Sequence, residues 1–140
     1  MLLELDSLRK AIKSLQAVLG KADDEALSMR IDDITLYAIK AGAIQNFEFT
    51  YELCWKFMKR WLENTMGNTY VDGVSRRELY RIAAEHQLID DVDQWMIYHK
   101  ARNITSHTYN EDRAEEVFQI AKIFVTDAEK LLHQIEAHND

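Results

Sequence analysis

Ile44-Gln45-Asn46-Phe47-Glu48-Phe49-Thr50-Tyr51-Glu52-Leu53-Cys54-Trp55-Lys56-Phe57-Met58 is the stretch on which the fold turns. Ile44, Phe47, Tyr51, Cys54 or Trp55, Met58 and Leu62 recur at steps of three and four, which is one apolar face of a helix. Phe49, Leu53 and Phe57 mark a second face. A helix that is apolar on two faces is packed on both, so the spacing predicts a long central helix from about Asp32 to Asn64. Most of its aromatic side chains read as core. Glu48 and Glu52 stand out, because they are one turn apart within this apolar run. A carboxylate there is costly unless it meets a cation or a hydrogen-bond donor.

The flanking sequence reads as further helices. Leu5, Leu8, Ile12, Leu15 and Leu19 form one stripe, which Gly20 is expected to stop. A polar link through Asp23, Asp24 and Glu25 follows. Gly67 to Gly73 reads as a loop, and Ser75-Arg76-Arg77-Glu78 as a capping box that opens a short third helix to about His86. Asp90 or Asp91 caps a fourth helix through about Thr105, and Asn110 or Asp112 caps a fifth. The stripe of the fifth is Val117, Ala121, Phe124, Ala128, Leu131 and Ile135. The first and fifth stripes are thin, as suits a helix–helix seam. With no repeat and no dividing linker, the expectation is one all-α domain over residues 1–140, a bundle of about five helices.

Composition agrees. A chain of 140 residues has the size of a single domain. No proline and four glycines leave too few turn residues for an all-β sandwich. No run of about 18 uncharged apolar residues occurs, so no membrane span is predicted. Met1-Leu2-Leu3-Glu4-Leu5-Asp6 puts acids where a signal peptide carries lysines, and a cytoplasmic location is expected. The single cysteine, Cys54, lies between Leu53 and Trp55 and reads as a small buried apolar residue. A net charge of −7 argues against a general nucleic-acid coat. It leaves room for a local site: residues 94–110 hold no acid, yet contain His99, Lys100, Arg102 and His107.

That fourth helix carries the chemistry. On a wheel with Arg102 at zero, Trp95 falls near +20°, His99 near +60° and Asn103 near +100°, at about 100° per residue. Arg102, His99 and Asn103 are thus expected on the apolar face. A guanidinium there either pairs with Glu48 or Glu52, or lines a site. In an unbroken helix His107 would lie about 140° from Arg102. Thr105-Ser106-His107-Thr108-Tyr109-Asn110 is rich in groups that compete for backbone hydrogen bonds. A helix ending near Thr105 lets the chain turn and return His107 beside Arg102. A cation to hold a phosphate and an imidazole to move a proton would then share one site. No Gly-rich phosphate loop, cysteine pair or H-E-x-x-H is present, and His133 and His138 read as solvated, so no metal or cofactor is expected.

Arg102-Asn103-Ile104-Thr105-Ser106-His107-Thr108-Tyr109 has the pattern R-x4-H-x-Y. It resembles the signature of HEPN proteins, in particular the small HEPN toxins encoded beside a minimal nucleotidyltransferase antitoxin. Phe47-Glu48-Phe49-Thr50-Tyr51-Glu52-Leu53-Cys54-Trp55-Lys56 is similar to the F-E-F-T-Y-E-L-x-W-K run of the subgroup called nucleotidyltransferase substrate-binding proteins. The resemblance covers nearly the whole chain. It implies an up-and-down bundle, four-helix-bundle-like, that forms a homodimer. It implies metal-independent RNA cleavage by Arg102 and His107 at the dimer interface, with Asn103 as the polar residue after the arginine. It further implies that the partner nucleotidyltransferase silences the toxin by AMP transfer to Tyr109. His99, Glu48 and Glu52 are the supporting residues that the spacing adds. The overall acidity leaves a second expectation, a non-catalytic subunit that binds substrate or nucleotide for the nucleotidyltransferase.

Overall fold

A computed structural model describes residues 2–105 and 111–139. Every regular element among them is helical: α1 (Asp6–Ala22), α2 (Glu25–Ser28), α3 (Asp33–Met66), α4 (Arg76–Glu85), α5 (Val92–Thr105) and α6 (Glu111–Ala137), with a 3-10 turn at Asn68–Tyr70. Ser75 caps α4 as the sequence predicts, accepting from the Glu78 N–H at 3.1 Å, and of the two candidates before α5 it is Asp91 that accepts, from Gln94 at 3.0 Å; Asp32, at the expected start of α3, accepts from the Thr35 N–H at 2.7 Å. Each satisfies an amide that the helix itself leaves unpaired.

Four long helices make the bundle. Thr50 donates to the Ala11 carbonyl while Ser14 donates to Asn46, so α1 and α3 run antiparallel. Arg9 meets Glu136 and Gln16 meets Glu129, which sets α1 antiparallel to α6. Lys40 reaches Glu115 and Phe47 meets Phe124, so α3 and α6 run the same way. The long connection through α4 and α5 makes that possible, and the result is an up-and-down bundle. Short α4 packs on α5 and the C-terminal part of α3.

Four expectations change. α1 passes through Gly20 to Ala22. An interior glycine weakens a helix by about 1 kcal/mol, but Ala22 is buried and its packing holds the last turn. The polar link contains an additional one-turn helix, α2, capped by Asp24. The second face of α3 is only partly covered: Phe57 is buried, Leu53 is half-buried, and Phe49 is 60% exposed, with no helix among the described residues lying over it. At α6, Glu111 begins the helix, so Asp112 lies inside its first turn; Asn110, the other suggested cap, is outside the described residues.

The core is aromatic at its centre. Phe124 on α6 meets Phe47 edge-on at 5.1 Å, Tyr98 at 5.0 Å and Trp95 at 5.8 Å between ring centroids. Edge-to-face pairs of this kind add about 0.5–1.5 kcal/mol beyond their buried area. Phe124→Ala should therefore cost about 3–5 kcal/mol in denaturant unfolding. Ile123→Ala, one residue away and 55% exposed, should stay within about 0.5 kcal/mol of wild type. Equal losses at the two positions would show that Phe124 is not the hub.

Candidate functional site

α3 and α5 present the site between them. The buried line of α5 is Trp95, Tyr98 and Ala101, which places His99 and Arg102 on its flank, half-buried, and leaves Asn103 exposed. The helical wheel puts all three on the apolar face; the fully buried line is narrower, because α6 meets α5 through Trp95 and Tyr98 while α3 meets it on the flank, through His99 and Arg102.

Arg102 lies between the two carboxylates of α3. Its Nη1 is 3.7 Å from Glu48 Oε2 and its Nε is 3.6 Å from Glu52 Oε1. These are ion-pair distances, longer than the roughly 2.7–2.9 Å of a tight charge-assisted fork. The two carboxylates orient the guanidinium and compensate its charge. About a quarter of the Arg102 side chain remains exposed. A cleft of about 380 Å³ opens beside it, lined by Gln45, Glu48, Phe49, Glu52, Leu53 and Lys56 as well as Arg102. Both alternatives left open by the wheel thus hold together: Arg102 pairs with Glu48 and Glu52, and it also lines a cleft.

A buried polar cluster backs the cleft. The Tyr51 hydroxyl meets the Tyr80 hydroxyl, lies 3.1 Å from His99 Nδ1 and accepts from Arg76 Nη1 at 2.8 Å. On its other side His99 Nε2 lies 3.3 Å from Asn103 Nδ2. One proton arrangement satisfies all of these. Asn103 donates to Nε2, Nδ1–H donates to Tyr51, and Tyr51 donates to Tyr80. The imidazole is then neutral. Burial pushes its pKa below the ordinary histidine value, and the Arg76 charge pushes it the same way, while Glu52 opposes them. Burial likewise raises the pKa of both tyrosines, which stay protonated.

Arg76, Tyr51 and Tyr80 are not marked as site residues by the sequence. The one local signal is at Arg76, a cation in the first turn of α4, where the helix dipole favours acids. Of the residues that the sequence marks, the structure brings together Glu48, Glu52, Arg102, His99 and Asn103. His107 and Tyr109 lie outside the described residues. Among the described residues no cluster of His, Cys, Asp or Glu side chains could hold a metal ion, and no helix is long and apolar enough to cross a membrane. Burial pushes the Cys54 thiol pKa up, in keeping with an inert core residue.

Residues 3–137 match the family model described as nucleotidyltransferase substrate binding protein like. The chain is 35% identical over 138 residues to a Haemophilus influenzae protein named probable ribonuclease HepT, covering 98% of this chain and 94% of that one. It is also similar to the solved structure of HI0074 from Haemophilus influenzae, described as the fold of a substrate binding domain of a nucleotidyltransferase. That likeness has a TM-score of 0.90 at 34% identity, over 95% of this chain and 99% of that one. A crystal structure of a Thermus thermophilus protein matches with a TM-score of 0.72 at 26% identity, over 91% of this chain and 98% of that one.

The lowered pKa of His99 has a consequence for stability. The unfolded chain binds a proton at this histidine more readily than the folded one does. Its contribution is fully present above pH 6.5, the unfolded value, and is lost as pH falls through the lower folded value. Denaturant unfolding across that range should show stability dropping on acidification, with a shallower drop in His99→Gln. Identical pH profiles in the two proteins would mean that His99 is not held neutral.

Proposed function

The chain belongs to the nucleotidyltransferase substrate binding protein like family, and we propose that within it the chain is a HEPN-type endoribonuclease toxin. The observation that carries this is Arg102: a guanidinium held between Glu48 and Glu52 at the wall of an open cleft, five residues before His107. The name of the Haemophilus influenzae relative, probable ribonuclease HepT, supports the same activity.

RNA carries its own nucleophile. The 2′-hydroxyl attacks the adjacent phosphorus, the bond to the 5′-oxygen breaks, and a 2′,3′-cyclic phosphate and a 5′-hydroxyl are left. His107 takes the proton of the 2′-hydroxyl, and a proton is delivered to the departing 5′-oxygen. General acid–base transfer of this kind is worth about 10²–10⁴-fold in rate. Arg102 holds the phosphate and stabilises the charge that develops on its oxygens. Asn103 orients one of those oxygens. No step calls for a metal.

Two copies of the chain complete the site in this proposal. Phe49 at 60% and Ile34 at 79% exposure are apolar side chains on α3 that a single copy leaves uncovered, and a two-fold axis would cover the same patch on both copies. A minimal nucleotidyltransferase is the second partner. It would silence the toxin when the Tyr109 oxygen attacks the α-phosphate of ATP and pyrophosphate leaves. The added phosphate and base would then occupy the cation intended for RNA. The description of HI0074 as a substrate binding domain supports a second reading, a non-catalytic subunit that presents substrate or nucleotide to the nucleotidyltransferase.

Purified protein should cleave RNA in the presence of EDTA, with a loss of about 10²-fold or more in Arg102→Ala and in His107→Ala. Cleavage that requires Mg²⁺ and survives both changes would sink the mechanism. Absence of cleavage together with nucleotide binding would favour the binding subunit. Sedimentation should give a dimer. Intact-mass measurement after co-expression with an active nucleotidyltransferase should show added AMP on wild type and none on Tyr109→Phe.

A further inference from the structure

α4 opens with Arg76, and its guanidinium faces away from the solvent that its neighbour Arg77 meets. Cζ lies 3.8 Å above the centre of the Trp55 ring and 5.9 Å from that of Tyr51, while Nη1 donates to the Tyr51 hydroxyl at 2.8 Å. Arg77, by contrast, pairs with Asp93 in an exposed salt bridge. A cation in the first turn of a helix opposes the helix dipole. Arg77 shares that position in the first turn, so what sets Arg76 apart is its contacts with Trp55 and Tyr51.

Two chains of contact run outward from Arg76. In the first, Trp55 lies under the guanidinium and donates from Nε1 to Glu52 Oε2 at 3.0 Å, and the other oxygen of Glu52 lies 3.6 Å from Arg102 Nε. In the second, Tyr51 meets His99 Nδ1 at 3.1 Å, and His99 Nε2 meets Asn103 at 3.3 Å. The two chains end on consecutive residues of α5. We propose that Arg76 is the positioning residue of the site, setting Arg102 through Trp55 and Glu52 and setting Asn103 through Tyr51 and His99. This rests on the ribonuclease reading for its effect on catalysis, but not for the positioning itself.

The planar guanidinium is what both chains need. It lies over an indole at 3.8 Å and donates to a buried hydroxyl at the same time, a pair of contacts suited to a planar, delocalised cation with several fixed donors. Tyr51 and Tyr80 are fully buried, so their hydroxyls have no water to turn to. Taking Arg76 away removes one of the donors that fix the Tyr51 oxygen. The groups facing His99 are then Tyr51 and Glu52 from α3, and Asn103 from its own helix.

Arg76→Gln and Arg76→Lys test this, with thermal melts to verify that both remain folded. Proton–nitrogen NMR follows the Trp55 indole, the Arg102 Nε–H and the Asn103 amide, and His99 is titrated in parallel. In Arg76→Gln all three resonances should move and His99 should titrate at higher pH. In Arg76→Lys the His99 titration should stay near wild type, because the charge is kept, while the Trp55 indole and Arg102 still move. On RNA, kcat should fall about tenfold or more in Arg76→Gln, with a smaller change in KM, because a group misplaced by a fraction of an ångström loses the transition state before it loses the substrate. Unmoved Arg102 and Asn103 resonances would overturn the proposal, as would moved resonances with undiminished cleavage. Wild-type protein that cleaves no RNA would sink the ribonuclease reading, and the resonances would then decide the positioning role.

Discussion

The packing of Phe124 sets the distance between α3 and α5, and everything at the candidate site inherits that distance. Its ring receives Phe47 from α3 and Trp95 and Tyr98 from α5 at centroid separations of 5.0–5.8 Å. These rings are large, stiff and buried, so the helices cannot approach or part without losing several edge-to-face contacts together. Arg102 reaches Glu48 and Glu52 across that fixed gap. The spacing that the core enforces is thus also the spacing at which the guanidinium stands from its two carboxylates.

Charge at the site is balanced locally in a chain that is acidic overall. Glu48 and Glu52 offset Arg102, and Lys56 and Arg76 add positive charge nearby. A phosphate that approached Arg102 would share the cation with two carboxylates. Binding would therefore be modest in strength, and the gain would be largest where charge builds up on the phosphate oxygens. Such a balance favours a transition state over a resting anion. An open, strongly basic groove would instead hold nucleic acid without discrimination.

Much of the fold was legible because its signals are local. Ser75 and Asp91 each bond an amide three residues on, so these caps are visible in the sequence, Asp91 as one of two candidates. The pairing of Arg102 with Glu48 and Glu52 was foreseeable on different grounds, since a charge on a half-buried flank must find its opposite. Gly20 misled because the burial of Ala22, a tertiary effect, overrides the glycine's local preference. Phe49 misled because an apolar periodicity says that a face wants cover and does not say that one chain supplies it. Arg76 and Tyr80 escaped notice because they meet Tyr51 across 25 and 29 residues, with no repeat linking them. His107 and Tyr109, the most specific part of the motif, lie outside the described residues, so the motif carries them alone.

Cys54 has a use that the rest of the molecule makes possible. Its side chain is fully enclosed on α3, beside the rings that hold the bundle, and burial disfavours the thiolate that reacts with disulfide reagents. Labelling therefore waits for α3 to leave the core. With one cysteine in the sequence, there is no competing site to blur the signal. The rate of thiol modification in native buffer becomes a clock for the opening of the central helix, set by the free energy of that opening when closing is fast and by the opening rate itself when it is slow. The chain carries its own gauge of how often the floor of the cleft comes apart.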